Sequence, residues 1–371
     1  MVSRRKVMQA TALFTGGLLL SCSPGQTLSP SPKSPQRRTG LMPDEGSPHQ
    51  RTWMAFGASA AIWGADLLPE VERNLVTIAH TIAHYEPVSM LVRPGEYDRA
   101  RNLLGSAIDL VTCPLDDLWI RDTGPTFVVG EGGQKAAIDF NFNGWGQKQS
   151  FKQDGKVAAL VTQRAGADAI TTAWVLEGGC LEVDGQGTAL VTESCVLNDN
   201  RNPGLRAADC EAELKTLLGV EKIIWLPGIR GKDITDGHTD FYGRFAAPGV
   251  VLAGYDPDPE SYDHAVTLRH LEILRSATDA HDRPLTVKVL EAPTILRDTY
   301  LTEDFAPGYV GFYLCNGAVI MQEFGDGEAD AMAQDSLRET FPDRDIIALN
   351  IDGIAAGGGT IHCTTQQEPL I

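Results

Sequence analysis

Four segments of the chain share one pattern, an apolar strand, a glycine turn and a second apolar strand. They read T-F-V-V-G-E-G-G-Q-K-A-A-I-D-F around Gly132, C-L-E-V-D-G-Q-G-T-A-L-V-T around Gly187, F-Y-G-R-F-A-A-P-G-V-V-L-A around Gly249 and F-Y-L-C-N-G-A-V-I-M-Q around Gly317. The gaps between those glycines are 55, 62 and 68 residues. Branched apolar residues flanking a glycine turn predict β-hairpins. After each hairpin, apolar positions recur at three- and four-residue spacing, which predicts helices over Gly155 to Gly166, Leu205 to Leu218, Tyr262 to Thr278 and Glu328 to Thr340. Further strand-like runs follow at Glu221 to Leu226, Leu285 to Leu290 and Asp345 to Ile351. A fifth unit fits the start, with a helix near Leu68 to His84 and strands near Pro87 to Val92 and Ile108 to Cys113. A repeat of about 60 residues over about 330 makes five units. None can bury its own apolar face, so they must pack together. The expected fold is a five-fold pseudosymmetric α/β propeller. The competing layout, a doubly wound parallel sheet, lacks a G-x-G-x-x-G after a strand, and no P-loop signature is present.

The first 38 residues break the pattern. Ser3-Arg4-Arg5-Lys6 is a basic start and Val7 to Leu20 is mostly apolar, too short for a membrane span. Such a segment reads as an export signal, and its paired arginines point to the twin-arginine route. Leu19-Leu20-Ser21-Cys22 resembles a bacterial lipobox, with Cys22 as the lipidated residue; the competing reading is an uncleaved apolar anchor. Residues 1–22 are therefore expected to be the signal and 23–40 a Pro- and Ser-rich tether. Residues 41–371 are expected to be the catalytic domain, exported and tethered in the periplasm or at the cell surface.

Charge narrows the partners. The chain has 31 Lys+Arg and 49 Asp+Glu. Six of the bases and none of the acids lie in the first 38 residues, so the remainder carries 25 bases against 49 acids, a balance of −24. That excludes nucleic acid as a partner and leaves the membrane only through the N-terminal anchor. It suits a small cationic ligand, and equally plain solubility. Beyond Cys22 and Cys363, five cysteines remain, Cys113, Cys180, Cys195, Cys210 and Cys315. An odd set with no C-x-x-C implies neither a full disulfide framework nor a zinc pattern.

The chemistry gathers in four motifs. The block A-A-G-G-G-T-I-H-C-T-T-Q-Q-E-P (355–369), ending two residues before Ile371, delivers Cys363 behind a glycine run that includes Gly358. Glycine lets a backbone approach a ligand closely, and a thiolate there is a nucleophile; a buried inert thiol is the alternative. The others are W-I-R-D-T-G-P (119–125), L-E-G-G-C (176–180) and D-G-H-T-D-F (236–241). Together they supply Asp122, Glu177, His238, Asp240 and Cys363. Carboxylates around a thiol oppose its ionisation unless the substrate is itself a cation. A planar guanidinium matches paired carboxylates, so Asp122 and Asp240 are placed to grip one while Cys363 attacks its carbon. Each has a plainer reading: Asp122 as a turn cap, Glu177 as a solvated loop residue, and His238 with Asp240 as half a metal site. His238 and Asp240, two apart at a strand start, face one side. His362 on an extended backbone faces away from Cys363 and reads as structural. Arg121 is expected to pair with a buried carboxylate, and 198–203 to form a polar loop behind the site.

These motifs, in this order, resemble the agmatine deiminase family, grouped with bacterial peptidylarginine deiminases in the guanidine-modifying superfamily. The resemblance runs from about Leu41 to Ile371. It takes in T-W-M-A (52–55), T-E-S-C-V-L-N-D-N-R-N-P (192–203) and W-L-P-G (225–228). It implies the pentein fold with a central active site and no metal or organic cofactor. By resemblance, Cys363 is the nucleophile, His238 the general acid/base, and Asp122 and Asp240 the guanidinium ligands. Trp119 and Glu177 fall at substrate-pocket positions. The implied activity is hydrolysis of agmatine to N-carbamoylputrescine and ammonia through an amidino-cysteine. Peptidylarginine or another guanidine is the alternative substrate, and a non-catalytic polyamine-binding lipoprotein the alternative class. The N-terminal block departs from the family. It reads M-P-D-E-G-S-P-H-Q-R-T-W-M-A-F-G, with Phe56 where the family has tryptophan and no aromatic after Glu45, so the far end of the substrate pocket is expected to differ. The motifs leave oligomeric state open, a homo-oligomer included.

Overall fold

The computed structural model describes residues 2–3 and 39–371. The signal with its lipobox expected over 1–22 and the tether expected over 23–40 lie outside the described residues except for Val2–Ser3, which pair with Ile295–Leu296, and Thr39–Gly40, where the Thr39 N–H donates to the Thr216 carbonyl at 3.0 Å. Strand β1 (His49–Phe56) leads into helix α1 (Ala60–Ala83). The helix is interrupted at Gly64, whose φ of 73° only glycine adopts cheaply. Its buried face is Val71, Leu75, Ile78, Ala79 and Ile82, a helical stripe laid on Met54, Val88 and Met90. Strands β2 (Val88–Val92) and β3 (Asp109–Thr112), with helix α2 (Tyr97–Leu104) between them, add to β1 in parallel.

The other blades repeat one scheme of antiparallel hairpin, helix and parallel return strand. The second has β4 (Thr126–Val129), β5 (Lys135–Asp139), α3 (Val157–Arg164) and β6 (Asp168–Thr171). The third has β7 (Leu181–Val183), β8 (Thr188–Thr192), α4 (Ala207–Leu218) and β9 (Lys222–Leu226). The fourth has β10 (Gly243–Ala247), β11 (Val250–Tyr255), α5 (His264–Ser276) and β12 (Thr286–Glu291). The fifth has β13 (Tyr313–Cys315), β14 (Ala318–Glu323), α6 (Gly327–Thr340) and β15 (Asp345–Asn350). The expected α/β propeller of five units is therefore the fold, built as five separate sheets.

The first blade gains its hairpin partner from the far end of the chain. Strand β16 (Gln366–Pro369) pairs antiparallel with β1, Gln366 opposite Trp53 and Gln367 opposite Thr52. This pairing closes the ring, and it fixes Cys363 three residues before a strand held in a sheet. Trp53 donates to Glu368 Oε2 at 2.8 Å across the seam. Apolar clusters join neighbouring blades: Leu190, Ile224 and Leu226 of the third blade pack with Leu271 and Leu274 of α5 in the fourth. Each such side chain contributes about 1.5–3 kcal/mol on burial. The six described cysteines are free and buried. No helix among the described residues is long and apolar enough to cross a membrane.

Candidate active site

The segment that leads into the first strand of each blade turns toward the centre. Ile120–Thr123 forms a helical turn before β4 and carries Asp122. Gly178–Cys180 forms a tight turn before β7, directly after Glu177. Thr239–Phe241 forms another before β10, with His238 and Asp240. His362–Thr364 forms the last, before β16, with Cys363. Pseudosymmetry thus places five side chains, three carboxylates, an imidazole and a thiol, on four equivalent segments around one point. The strand expected to carry His238 and Asp240 is instead this tight turn, and the two converge because the turn wraps around the centre. His362 is likewise in a turn rather than extended.

Distances at the centre are short. His238 Nδ1 lies 3.7 Å from Asp122 Oδ1 and 4.0 Å from Asp240 Oδ1. His238 Nε2 lies 3.4 Å from Glu177 Oε2. Cys363 Sγ is 3.9 Å from Asp240 Oδ2 and 3.4 Å from Thr360 Oγ1. His238 Nδ1 and Asp240 Oδ1 are buried and make no hydrogen bond. Unpaired buried polar atoms are costly, and here both face the same gap. Gly179 keeps that gap open: a Cβ there would press into His238 Nδ1 and stand 3.1 Å from both Asp122 Oδ1 and Asp240 Oδ2. Its N–H also donates to Asp122 Oδ1 at 3.1 Å. Trp145 anchors the other oxygen, Nε1 to Oδ2 at 2.9 Å. It does so from a left-handed conformation, φ 53°, between Gly144 and Gly146, a strain that marks functional sites.

Electrostatics separate the groups. Burial lowers the affinity of His238 for a proton, but the charge of Asp122 and hydrogen bonds to Cys195 and Glu177 outweigh it, so its pKa stands well above the usual imidazole value. Burial pushes Asp122 up; His238 pulls it back, and Asp240 and Glu177 push it further. Asp240 goes the other way, because the His362 hydrogen bond and charge overcome burial. The Cys363 thiol is raised well above its usual value by burial, then by Asp240 and Asp122. These shifts favour a protonated imidazole on His238 and an un-ionised thiol on Cys363.

A second layer locks these groups. His362 donates through Nδ1 to Asp240 Oδ2 at 2.7 Å, and its Nε2 meets Glu45 Oε2 at 2.8 Å. Glu45 is held by Arg121 at 2.9 Å and Arg244 at 2.7 Å, with its pKa well below the usual range because those cations outweigh burial. The expected carboxylate partner of Arg121 is thus Glu45. Glu177 is not in a solvated loop. It is wholly buried, with both oxygens on Arg201 Nε at 2.8 and 2.9 Å. Arg201 also binds Asp236 at 2.9 Å. Glu177 reaches the centre through His238, and the 198–203 loop serves it with Arg201. Sequence reasoning assigned no role to Glu45, Trp145 or Arg201. Arg201 is the one cation of the polar run 192–203, and Glu45 lies in the N-terminal block 42–57, but neither motif points to its partner.

A cavity of about 670 Å³ adjoins the centre, lined by Trp63, Trp119, Phe241, Tyr309 and Gly358 among others. The glycine run is clamped there. Side chains at Gly357 and Gly359 would collide with the Trp63 and Trp119 rings, and Gly358 has φ 85°. Phe56 does not line this cavity; it packs in the core of the first blade, with the Arg99 guanidinium over its ring. The N-terminal departure therefore falls on the core and, at Glu45, on the second layer.

A family model described as Porphyromonas-type peptidyl-arginine deiminase matches residues 41–369. A Streptomyces coelicolor protein is 41% identical over 339 residues, covering 89% of this chain and 99% of its own. The agmatine deiminase of Stutzerimonas stutzeri is 36% identical over 361 residues, covering 91% and 97%. The solved structure of Enterococcus faecalis agmatine deiminase is similar with a TM-score of 0.84 and 31% identity, over 90% of this chain and 99% of that one.

Proposed function

The chain belongs to the Porphyromonas-type peptidyl-arginine deiminase family, and from that premise we propose that it is a hydrolase converting agmatine to N-carbamoylputrescine and ammonia. The observation that carries this reading is the gap kept by Gly179, onto which His238 Nδ1, Asp122 Oδ1 and Asp240 Oδ2 converge, with Cys363 Sγ 3.9 Å from Asp240 Oδ2. A guanidinium placed there is gripped by Asp122 and Asp240 in charge-assisted hydrogen bonds. Its positive charge offsets the two carboxylates that hold the Cys363 thiol un-ionised, so binding releases the thiol proton to solvent and leaves the thiolate. The sulfur adds to the guanidinium carbon. His238, protonated at rest, gives its proton to one nitrogen, the C–N bond breaks, and ammonia leaves. The neutral imidazole then takes a proton from water, and hydroxide attacks the amidino-thioether. The C–S bond breaks, releasing the ureido product and the thiolate. Glu177, held by Arg201, keeps His238 oriented and charged.

The cavity favours a substrate with a second cation. Asp233, Asp256, Asp263, Glu303 and Asp304 stand around it against the single cation Lys232. Agmatine's terminal ammonium suits that lining, whereas the carboxylate of free arginine is repelled. Ammonia release from agmatine, free arginine and an arginine peptide, compared side by side, tests this. Agmatine should exceed the others by at least about a hundredfold in kcat/KM; equal rates on the peptide would transfer the function to protein substrates. The enzyme is further proposed to be exported through Arg4 and Arg5 and tethered by Cys22. Replacing both arginines by lysine should retain it in the cytoplasm, and a Cys22→Ala protein that still takes up labelled lipid would refute the tether.

A further inference from the structure

His238 divides the buried centre in two. Its Nδ1 side faces Asp122 and Asp240, where the substrate sits. Its Nε2 side faces Glu177 at 3.4 Å. Behind that carboxylate lie two thiols that no hydrolytic step uses. Cys180 donates from Sγ to the Glu177 carbonyl at 2.8 Å, and Cys195 from Sγ to Glu177 Oε2 at 3.5 Å. One donor atom from each of Glu177, Cys180 and Cys195 lies within 4.8 Å of the others, and all three residues are buried. The two cysteines come from different places, Cys180 from the turn before β7 and Cys195 from the short helix after β8. The fold, not local sequence, makes the pair.

We propose that Cys180, Cys195 and Glu177 form an inhibitory site for a soft divalent cation, Zn²⁺ above all, which draws in as fourth donor His238 Nε2, outside that three-residue cluster but 3.4 Å from Glu177 Oε2. Two sulfurs, one carboxylate oxygen and one imidazole nitrogen are a donor set that Zn²⁺ takes tetrahedrally, at about 2.3 Å to sulfur and about 2.0–2.2 Å to nitrogen and oxygen. The donors need to close in by roughly 1 Å to reach those distances. Binding displaces three protons to solvent, one from each thiol and one from His238 Nε2, leaving that imidazole neutral. Two thiolates and a carboxylate then carry −3 against +2, and the remaining charge is met by Arg201, which stays on Glu177 Oε1 at 2.8 Å. No redox step is involved.

The consequence is a particular kind of inhibition. With the cation on Nε2, the imidazole can no longer accept and return a proton as an imidazolium, so the leaving ammonia and the attacking water both lose their catalyst. Asp122, Asp240 and Cys363 remain free, so agmatine still binds. Zn²⁺ should therefore lower kcat with little change in KM. A cation bound instead by Cys363 and His238 Nδ1 would occupy the substrate gap and compete with agmatine.

Cobalt(II) is the probe, because thiolate coordination gives it a near-ultraviolet charge-transfer band whether or not the protein turns over. The inhibition arm rests on the assigned role of His238, but the band does not, so failure of the site and failure of the deiminase reading are separable. The full-length reduced protein and its Cys363→Ser variant should both show the band, displaced by Zn²⁺. Cys180→Ser, which keeps a donor to the Glu177 carbonyl, should retain basal activity while its Zn²⁺ affinity falls by at least about tenfold. A band that survives in Cys180→Ser but vanishes in Cys363→Ser would overturn the proposal. So would the absence of any band, or Zn²⁺ inhibition that agmatine relieves.

Discussion

His238 at the centre and His270 on α5 are both completely buried, and each has an Nδ1 with no hydrogen-bond partner. Their proton affinities nevertheless move in opposite directions. His270 packs edge-on against Tyr242 at 4.6 Å, and its Nε2 accepts only the Gly228 N–H at 3.3 Å. Burial alone pushes its pKa down to about 4. His238 pays the same burial, yet Asp122, Glu177 and Asp240 surround it and hold the proton. Burial therefore does not make a catalytic imidazole. Carboxylates gathered from three different blades hold the proton on His238, and two of them are the groups that the proposed guanidinium substrate would meet.

The largest test closes the space that distinguishes the two sites. Gly179→Ala puts a methyl group against His238 Nδ1, where its neighbours are the carboxylate oxygens of the substrate grip. The backbone there has no left-handed φ, so the fold should survive. Agmatine turnover should drop by about a thousandfold or more in kcat/KM, roughly 4 kcal/mol, with little change in melting temperature. Activity within tenfold of wild type would mean the substrate binds elsewhere.

Next, Asp122→Asn removes the strongest attraction on His238 and one arm of the grip. Losing the partner of a buried charge costs about 3–5 kcal/mol, so kcat/KM should fall by at least about a hundredfold. The raised pKa of His238 keeps it protonated across neutral pH in the wild type. In the variant the imidazole should lose its proton at lower pH, moving the alkaline limb of the rate profile downward. NMR titration of His238 in the two proteins reads that shift directly, and an unmoved titration would assign the proton's stability to Glu177 instead.

The smallest effect falls on the other histidine. The folded pKa of His270 lies below the unfolded value, so its neutral form favours the fold, and stability is lost as pH falls from about 6.5 toward about 4. That loss is of order 3 kcal/mol. His270→Gln should flatten the stability profile over this range in urea titrations at successive pH values, and leave agmatine turnover within about twofold. A steep loss that persists would locate the acid-sensitive group elsewhere.

The comparison also shows what a sequence can reveal. The four hairpins and their helices were legible because glycine turns and three- and four-residue periodicity are local. The strand Gln366–Pro369 was not, since its pairing with His49–Phe56 spans the whole chain and four residues carry no periodicity. Asp122, His238, Asp240 and Cys363 were legible as chemistry, in motifs rich in glycine and ionisable groups, and the structure brings them together. The turn that holds His238 and Asp240 was misjudged as a strand because a two-residue spacing fits both. His362 was read as facing away, yet it lies beneath Asp240 at 2.7 Å. Glu45 and Trp145 left no signal, because what makes them matter is contact with residues 317 and 23 positions away.

The proposed reaction turns on a covalent bond between Cys363 and substrate carbon. Wild-type protein quenched during agmatine turnover, digested and analysed by mass spectrometry should carry the mass of agmatine less ammonia on the peptide ending at Ile371, at Cys363. The adduct should vanish in Cys363→Ser and in Gly179→Ala. An adduct on Cys180 or Cys195, or full turnover by Cys363→Ser, would contradict the account.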